Sequence, residues 1–170
     1  IDLRWYKKLG TESQFVARLN TGVGYAYGNS IAVPFEKLFY AGGSSGVRAW
    51  QARTLGPGNY NRAIIPTPEE RNATFGIDQL GQMRIETNLE YRFTLVNKLF
   101  GGKLKGATFV DMGNVWNISP NNPRPETYFD FKRLGQQIAV GTGLGFRFDV
   151  QFFVFRFDLG LKVKDPQFEA

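Results

Sequence analysis

The sequence predicts an all-β chain: an antiparallel transmembrane β-barrel, of which six long strands lie in these 170 residues. Three features predict this fold class. Apolar and polar residues alternate over long segments, aromatic residues gather near the segment ends, and short connections alternate with long ones. Strands of soluble sheets usually span about 5–6 residues, whereas transmembrane barrels combine long amphipathic strands with aromatic girdles and loops of unequal length.

The composition narrows the chemistry that the chain can perform. A length of 170 residues suits one domain, and no run of about 20 apolar residues predicts a transmembrane helix. Cysteine and histidine are absent, which excludes disulfides, histidine metal sites and serine–histidine–aspartate triads from this stretch. The net charge of +6 comes from cations spread along the chain, so we expect no nucleic-acid partner. We also expect no catalytic residue, no metal and no cofactor.

The clearest alternation runs through residues 82–95. Leu89 and the other odd-numbered residues there are mostly apolar, whereas Asn88 and the other even-numbered residues are polar or charged. The odd row is therefore expected to face lipid and the even row a wet lumen. On this basis, aspartate at Leu89 should destabilise the protein strongly and aspartate at Asn88 only mildly. The same alternation predicts five more strands, at 1–8, 15–27, 104–116, 138–149 and 153–162.

Aromatic residues and connections orient these strands. One predicted girdle contains Phe15, Phe93, Phe148 and Phe153, and the opposite one contains Tyr27 and Trp116. The short connections are 9–14, 96–103 and 150–152, and the long ones are 28–81 and 117–136. Short turns are typical of the periplasmic end of a barrel and long loops of the external end. Six strands cannot close a barrel around a polar interior, and an open edge in lipid leaves backbone groups unpaired, so we expect further strands outside this chain.

Two glycine-rich segments resemble enzyme motifs only in their letters. GGSSG (42–46) lacks the following helix and the histidine base of a hydrolase nucleophile elbow. GTGLG (141–145) lies inside a predicted strand, and its three glycines share the inward face. Small inward residues leave room for another segment to approach. Gly141, Gly143 and Gly145 are therefore predicted to let the long external loop pack inside the lumen.

The loop 28–81 carries an arginine with two predicted carboxylate partners. Arg48 lies in a segment without helix or strand periodicity, while Glu90 and Asp111 point inward from neighbouring predicted strands. A guanidinium can bind a carboxylate through two parallel, charge-assisted hydrogen bonds. Arg48 either staples the loop and stabilises the barrel or takes a direct part in function, and the residues leave both readings open.

Several segments carry a family resemblance that extends over essentially the whole chain. They resemble the C-terminal transmembrane barrel of the BamA/TamA-type outer-membrane protein assembly factors of Gram-negative bacteria. The segments RTLGPG and FRFDVQFFVFRFDLG are similar to the Bacteroidota versions of BamA. The main motifs are KLFYAGGSSGVRAWQARTLGPG (37–58), NLEYRF (88–93) and FVDMGNVW (109–116).

By this resemblance, the functional loop motif, VRGF or IRGF in the family, is Val47, Arg48, Ala49 and Trp50. Ala49 stands where the family usually has glycine. The resemblance also implies that Arg48 meets Glu90 and Asp111 in the lumen. It further implies a sixteen-stranded barrel behind periplasmic POTRA domains, of which residues 1–170 are a C-terminal part. The N-terminal domains, the first strands and the terminal strand then lie outside the chain.

The resemblance implies a non-enzymatic protein of the outer membrane that inserts and folds β-barrel client proteins. The implied partners are outer-membrane lipid, both bilayer and lipopolysaccharide, unfolded client proteins and accessory subunits of an assembly machine. Two alternatives remain. One is a two-partner-secretion or TamA-like translocation pore of the same superfamily, and the other is a barrel that anchors an upstream enzyme domain. The region upstream of the chain distinguishes them.

Overall fold

The fold is one six-stranded antiparallel sheet whose strands follow one another in chain order. The computed structural model describes residues 1–61, 79–118, 124–150 and 152–168. The all-β prediction is therefore confirmed, and all six predicted strands are present. The strands are β1 (Asp2–Lys8), β2 (Ser13–Val23), β3 (Met83–Leu99), β4 (Gly102–Trp116), β5 (Ala139–Val150) and β6 (Phe153–Lys164).

Helical structure is confined to short segments between or after the strands. The α-helix α1 (Leu134–Gln137) has 4 residues. In the described ranges, no helix has the length and apolar character needed to cross a membrane. Turns of 3₁₀-helix occur at Phe35–Lys37, Pro125–Thr127, Phe131–Arg133 and Pro166–Phe168.

Two strand boundaries differ from the prediction. β3 and β4 extend toward each other, so that only Phe100 and Gly101 separate them, and both have positive φ. The pairing register shifts twice after Thr94, and such bulges interrupt the alternation on which the prediction relied. β2, in contrast, ends at Val23, four residues before the predicted end at Tyr27.

The apolar rows of the strands are exposed on the outer face of the sheet. Phe153, Phe155 and Phe157 of β6 are 54%, 63% and 65% exposed. A soluble domain would bury such a row, because each large apolar side chain gains about 1.5–3 kcal/mol from burial. The buried apolar cluster instead lies between the long loop and the opposite, inner face. It contains Ala41, Val47, Trp50, Leu55, Val115 and Ala139.

One of the two predicted aromatic girdles is wrong. Trp116 is fully buried; its indole Nε1 donates to Gln137 Oε1 at 3.0 Å, and its ring packs edge-on against Phe129. Tyr27 lies beyond the end of β2. At this end of the sheet the segment that follows β4 packs over Trp116. The position of a residue near the end of a strand does not show whether another segment buries it.

Candidate functional site

The candidate site forms where the tip of the long loop meets the inner face of the sheet. Arg48 Nε and Nη2 donate to Asp111 Oδ2 and Oδ1 at 2.7 and 2.9 Å. Nη1 donates to Glu90 Oε2 at 2.8 Å. The guanidinium also lies over the ring of Phe109, with its central carbon 3.4 Å from the ring centroid. The structure thus brings together the three charged residues that the sequence singles out.

The pairing of β3 with β4 positions the two carboxylates. Glu90 lies opposite Phe109, and Asn88 lies opposite Asp111. Because alternate residues of a strand share a face, Glu90 and Asp111 point to the same side and reach one guanidinium. The side chains of Arg48, Glu90 and Asp111 are 5%, 7% and 0% exposed. Burial makes each charge dependent on its partners, since an unpaired buried charge is costly.

Further polar groups hold the carboxylates in place. Glu90 Oε1 is 2.6 Å from both Arg92 Nε and Arg147 Nη2. Asn88 Nδ2 donates to Asp111 Oδ1 at 2.8 Å and to the carbonyl oxygen of Gly46 in the loop at 2.9 Å. These two hydrogen bonds are a reason to expect more than a mild effect from Asn88→Asp. That change removes the donor and places a second carboxylate beside Asp111.

The loop tip is also held from both flanks of the sheet. Arg18 of β2 donates to the carbonyl oxygen of Ser45. Arg156 of β6 donates to the carbonyl oxygen of Ser44 at 3.3 Å. Carbonyl groups of an irregular loop need partners when they leave bulk water, and these arginines supply them. The tip is thus fixed to strands on either side of the central ion pair.

The three predicted loop-packing glycines lie in the inward row of β5, but their neighbours differ. A Cβ at Gly141 would lie 2.9 Å from Ala49 Cβ, so this glycine faces the loop directly. A Cβ at Gly143 would meet the carbonyl oxygen of Leu159 in β6 and the ring of Phe109, and one at Gly145 would meet Asp158 Oδ1. These two glycines face the neighbouring strands, including the Phe109 ring and the Asp158 carboxylate that contact Arg48, and so affect the loop only indirectly.

The remaining residues of the loop motif are buried beside Arg48. Val47 is 0% exposed and Trp50 is 3% exposed. Trp50 Nε1 donates to Asp165 Oδ2 at 3.3 Å. The aromatic residue therefore inserts its ring into the apolar cluster while its polar edge finds a carboxylate, as buried tryptophans generally require.

Four residues touch this site that the sequence pattern did not single out as partners of the loop: Phe109, Asn88, Asp158 and Gly160. Their position in the alternation places them on the inward face, but it does not identify their partners. Phe109 shares the inward row of β4 with Asp111, and Asp158 and Gly160 share the inward row of β6. The inward position of Phe109 suits a cation as a partner, because a guanidinium favours an aromatic face.

The arrangement holds a loop by charge and hydrogen bonds. Within the described ranges, no group of three or more aspartate or glutamate side chains is placed to hold a metal ion. The buried arginine keeps its charge, since guanidinium groups do not lose a proton in proteins. Its three closest acceptor oxygens belong to two neighbouring strands, so it also links those strands to the loop.

Comparison with known proteins identifies the family. The Omp85 superfamily domain matches residues 1–169. The chain is also similar to the outer membrane protein assembly factor BamA of Neisseria meningitidis serogroup B (strain ATCC BAA-335 / MC58), with 24% identity over 113 residues. That similarity covers 66% of this chain and 13% of the relative. The chain therefore belongs to the Omp85 superfamily and forms part of an outer-membrane β-barrel.

Proposed function

We propose that the chain is the C-terminal part of the barrel of an outer-membrane protein assembly factor that inserts and folds β-barrel client proteins. In this proposal the complete barrel has sixteen strands and follows periplasmic POTRA domains. The observation that carries the proposal is the long loop, which Arg48 fixes across the inner face of a sheet with a lipid-compatible outer face. The named function of the Neisseria relative supports the same assignment.

The proposed mechanism uses strand pairing as its source of specificity. An unpaired strand edge offers a row of backbone donors and acceptors that a client strand can extend. Pairing satisfies the client backbone before it enters lipid, where unpaired groups are costly. Burial of the client's apolar rows in the bilayer then supplies the driving force. No chemical step is required of the residues around Arg48.

The docked loop favours assembly over passive conduction. The loop tip covers the inner face from β2 to β6, with polar contacts to β2, β3, β4 and β6 and close packing on β5. Side chains that would otherwise line a wet path, including Arg18, Asn88 and Arg156, bind the loop. A translocation pore needs the loop to leave this position, whereas an assembly factor can work with the loop in place.

The proposal is tested with the full-length protein reconstituted into liposomes. An unfolded outer-membrane β-barrel client is added, and its folded fraction is followed by its heat-modifiable migration on gels. We expect folding to be faster than with empty liposomes, and slower again with Arg48→Ala than with the control Arg4→Ala. Arg4 is also inward and ion-paired, but its side chain is 54% exposed and contacts Asp2 instead of the loop.

The translocation alternative makes a different prediction in the same liposomes. A pore would show ion conductance that rises when the loop is released, with no acceleration of client folding.

The expected partners are outer-membrane lipid, including lipopolysaccharide, the unfolded clients and accessory subunits. Co-purification of the full-length protein from its native membrane identifies the accessory subunits.

A further inference from the structure

The loop makes a second set of contacts on β6, the outermost strand on one side of the described sheet. These contacts lie away from the β3 and β4 carboxylates that bind Arg48 most closely. Three residues of β6 or the segment after it carry them: Asp158, Gly160 and Asp165. We name these three residues the β6 anchor.

Asp158 is shared between two arginines. Its Oδ2 lies 3.4 Å from Arg48 Nη1 and 2.7 Å from Arg156 Nε. The side chain is 13% exposed, and its Oδ1 is buried without a hydrogen-bond partner in the described part of the chain. Such unsatisfied buried oxygens are rare and call for a reason. The reason here is the charge of the whole carboxylate. Asp158 lies between two arginines that would otherwise repel each other, and this attraction offsets the cost of the unpaired Oδ1.

Gly160 lets the loop backbone touch the strand. A Cβ at this position would lie 3.1 Å from both the nitrogen and the Cα of Ala49, and 3.3 Å from the carbonyl carbon of Arg48. Those neighbours are backbone atoms, which cannot move aside as a flexible side chain can. A side chain at Gly160 therefore requires the loop backbone to shift by at least a few tenths of an ångström away from β6.

Asp165 and the residues after it extend the contact toward the external end. Asp165 Oδ2 accepts from Trp50 Nε1 at 3.3 Å and from Lys162 Nζ at 3.1 Å. Two amides of the loop reach the same segment, since Asn59 donates to the carbonyl oxygen of Pro166 at 3.1 Å and Asn61 donates to that of Gln167 at 2.7 Å. Both ends of the inserted loop segment are thus tied to β6 and its extension.

We propose that Asp158 is a positioning residue for Arg48 and that the β6 anchor couples the docking of the loop to the order of β6. Asp158 completes the set of acceptors around Arg48, so that one guanidinium links β3, β4 and β6. Gly160 and Asp165 keep the loop in contact with β6 on either side of that link. Release of the loop therefore loosens β6, and loosening of β6 releases the loop.

This coupling adds a second role for the loop if the proposed function holds. β6 bonds to one neighbour, β5, in the described sheet, so its other edge depends on whatever strand or client lies beside it. A docked loop keeps that edge straight and in register, and loop release lets the edge adapt. The β6 anchor thus sets how readily this side of the sheet changes shape.

Hydrogen–deuterium exchange of the full-length protein in lipid nanodiscs tests the coupling. We expect Asp158→Asn to speed exchange about tenfold or more in both the loop tip (42–51) and β6, because a charge-assisted contact is lost. Asp149→Asn is the matched control, since Asp149 is inward and ion-paired to Lys105 but does not contact the loop. Gly160→Ala should act like Asp158→Asn, and Gly135→Ala should not, because nothing lies within 4 Å of its added Cβ.

A double-mutant cycle separates the positioning role from simple stabilisation. Arg156→Gln alone should speed exchange at the loop tip, because Arg156 donates to the carbonyl oxygen of Ser44. If Asp158 shields Arg156 from Arg48, Asp158→Asn and Arg156→Gln together should speed exchange at the loop tip by less than the sum of their separate effects. Additive effects of the two changes would overturn the positioning role. Unchanged exchange in either the loop tip or β6, for both Asp158→Asn and Gly160→Ala, would overturn the coupling. The exchange measurement contains no client, so its outcome is independent of the assembly assay.

Discussion

Replacing Arg48 with alanine removes the centre of the ion-pair network. Asp111 loses two side-chain hydrogen bonds of 2.7 and 2.9 Å and keeps two donors, Asn88 Nδ2 and the backbone nitrogen of residue 48. Glu90 loses one contact but keeps Arg92 and Arg147. The cost therefore falls mainly on Asp111, whose side chain is 0% exposed.

The expected magnitude follows from this uneven loss. Breaking a buried charge pair by removing one partner costs about 3–5 kcal/mol. Since about 1.4 kcal/mol corresponds to a tenfold change in an equilibrium constant, the ratio of docked to released loop should fall roughly 100- to 4,000-fold. Arg48→Lys keeps the charge but loses the two-pronged geometry, so we expect a smaller loss of roughly 1.5–3 kcal/mol.

Limited proteolysis and hydrogen exchange of the loop tip measure this loss. In the full-length protein, Arg48→Ala should expose residues 42–51 to protease and to exchange, with Arg48→Lys intermediate and Arg4→Ala unchanged. The reasoning is refuted if Arg48→Ala protects the loop tip within about threefold of the wild type. That result would mean that the apolar cluster, and not the charge network, holds the loop.

Three other substitutions test the facing of the strands and the fit of the loop. Leu89→Arg should destabilise the barrel by about 2–4 kcal/mol because it faces lipid, whereas the inward Tyr6→Arg should cost less than about 1 kcal/mol; thermal shifts of the folded gel band compare them. Asn88→Asp should lower thermal stability by roughly 1–3 kcal/mol, since it removes a donor from a buried carboxylate, and a wild-type melting curve would contradict this. Gly141→Val should displace the loop at a cost of about 1–3 kcal/mol, while Gly135→Val should not, and equal loop protection in both variants would disprove the fit.

The strands and their facing could be predicted because alternation is a local property of the sequence. Residues such as Leu89 and Phe157 repeat with period two over long segments, and only a strand places such a row on one face. The bulges after Thr94 and the early end of β2 could not be predicted in this way. They depend on how two strands pair and on where a loop begins to cover them.

The candidate site was predictable only where residue type and strand position agreed. Glu90 and Asp111 are carboxylates on inward rows, so their approach to an arginine of a long loop could be anticipated. Phe109 and Asn88 carry no such signal, because an aromatic ring or an amide on an inward row has many possible partners. Asp158 became visible as a partner only when the fold placed β6 beside the loop motif.

The central claim is that the strands cross the membrane with one row in lipid and the other against the docked loop. Single cysteines along β6, in a cysteine-free background, can carry a fluorophore in vesicles that contain brominated lipid. The account predicts strong quenching at positions 155, 157, 159 and 161 and weak quenching at 156 and 162, two inward positions outside the β6 anchor. Quenching that fails to alternate along β6 would contradict it.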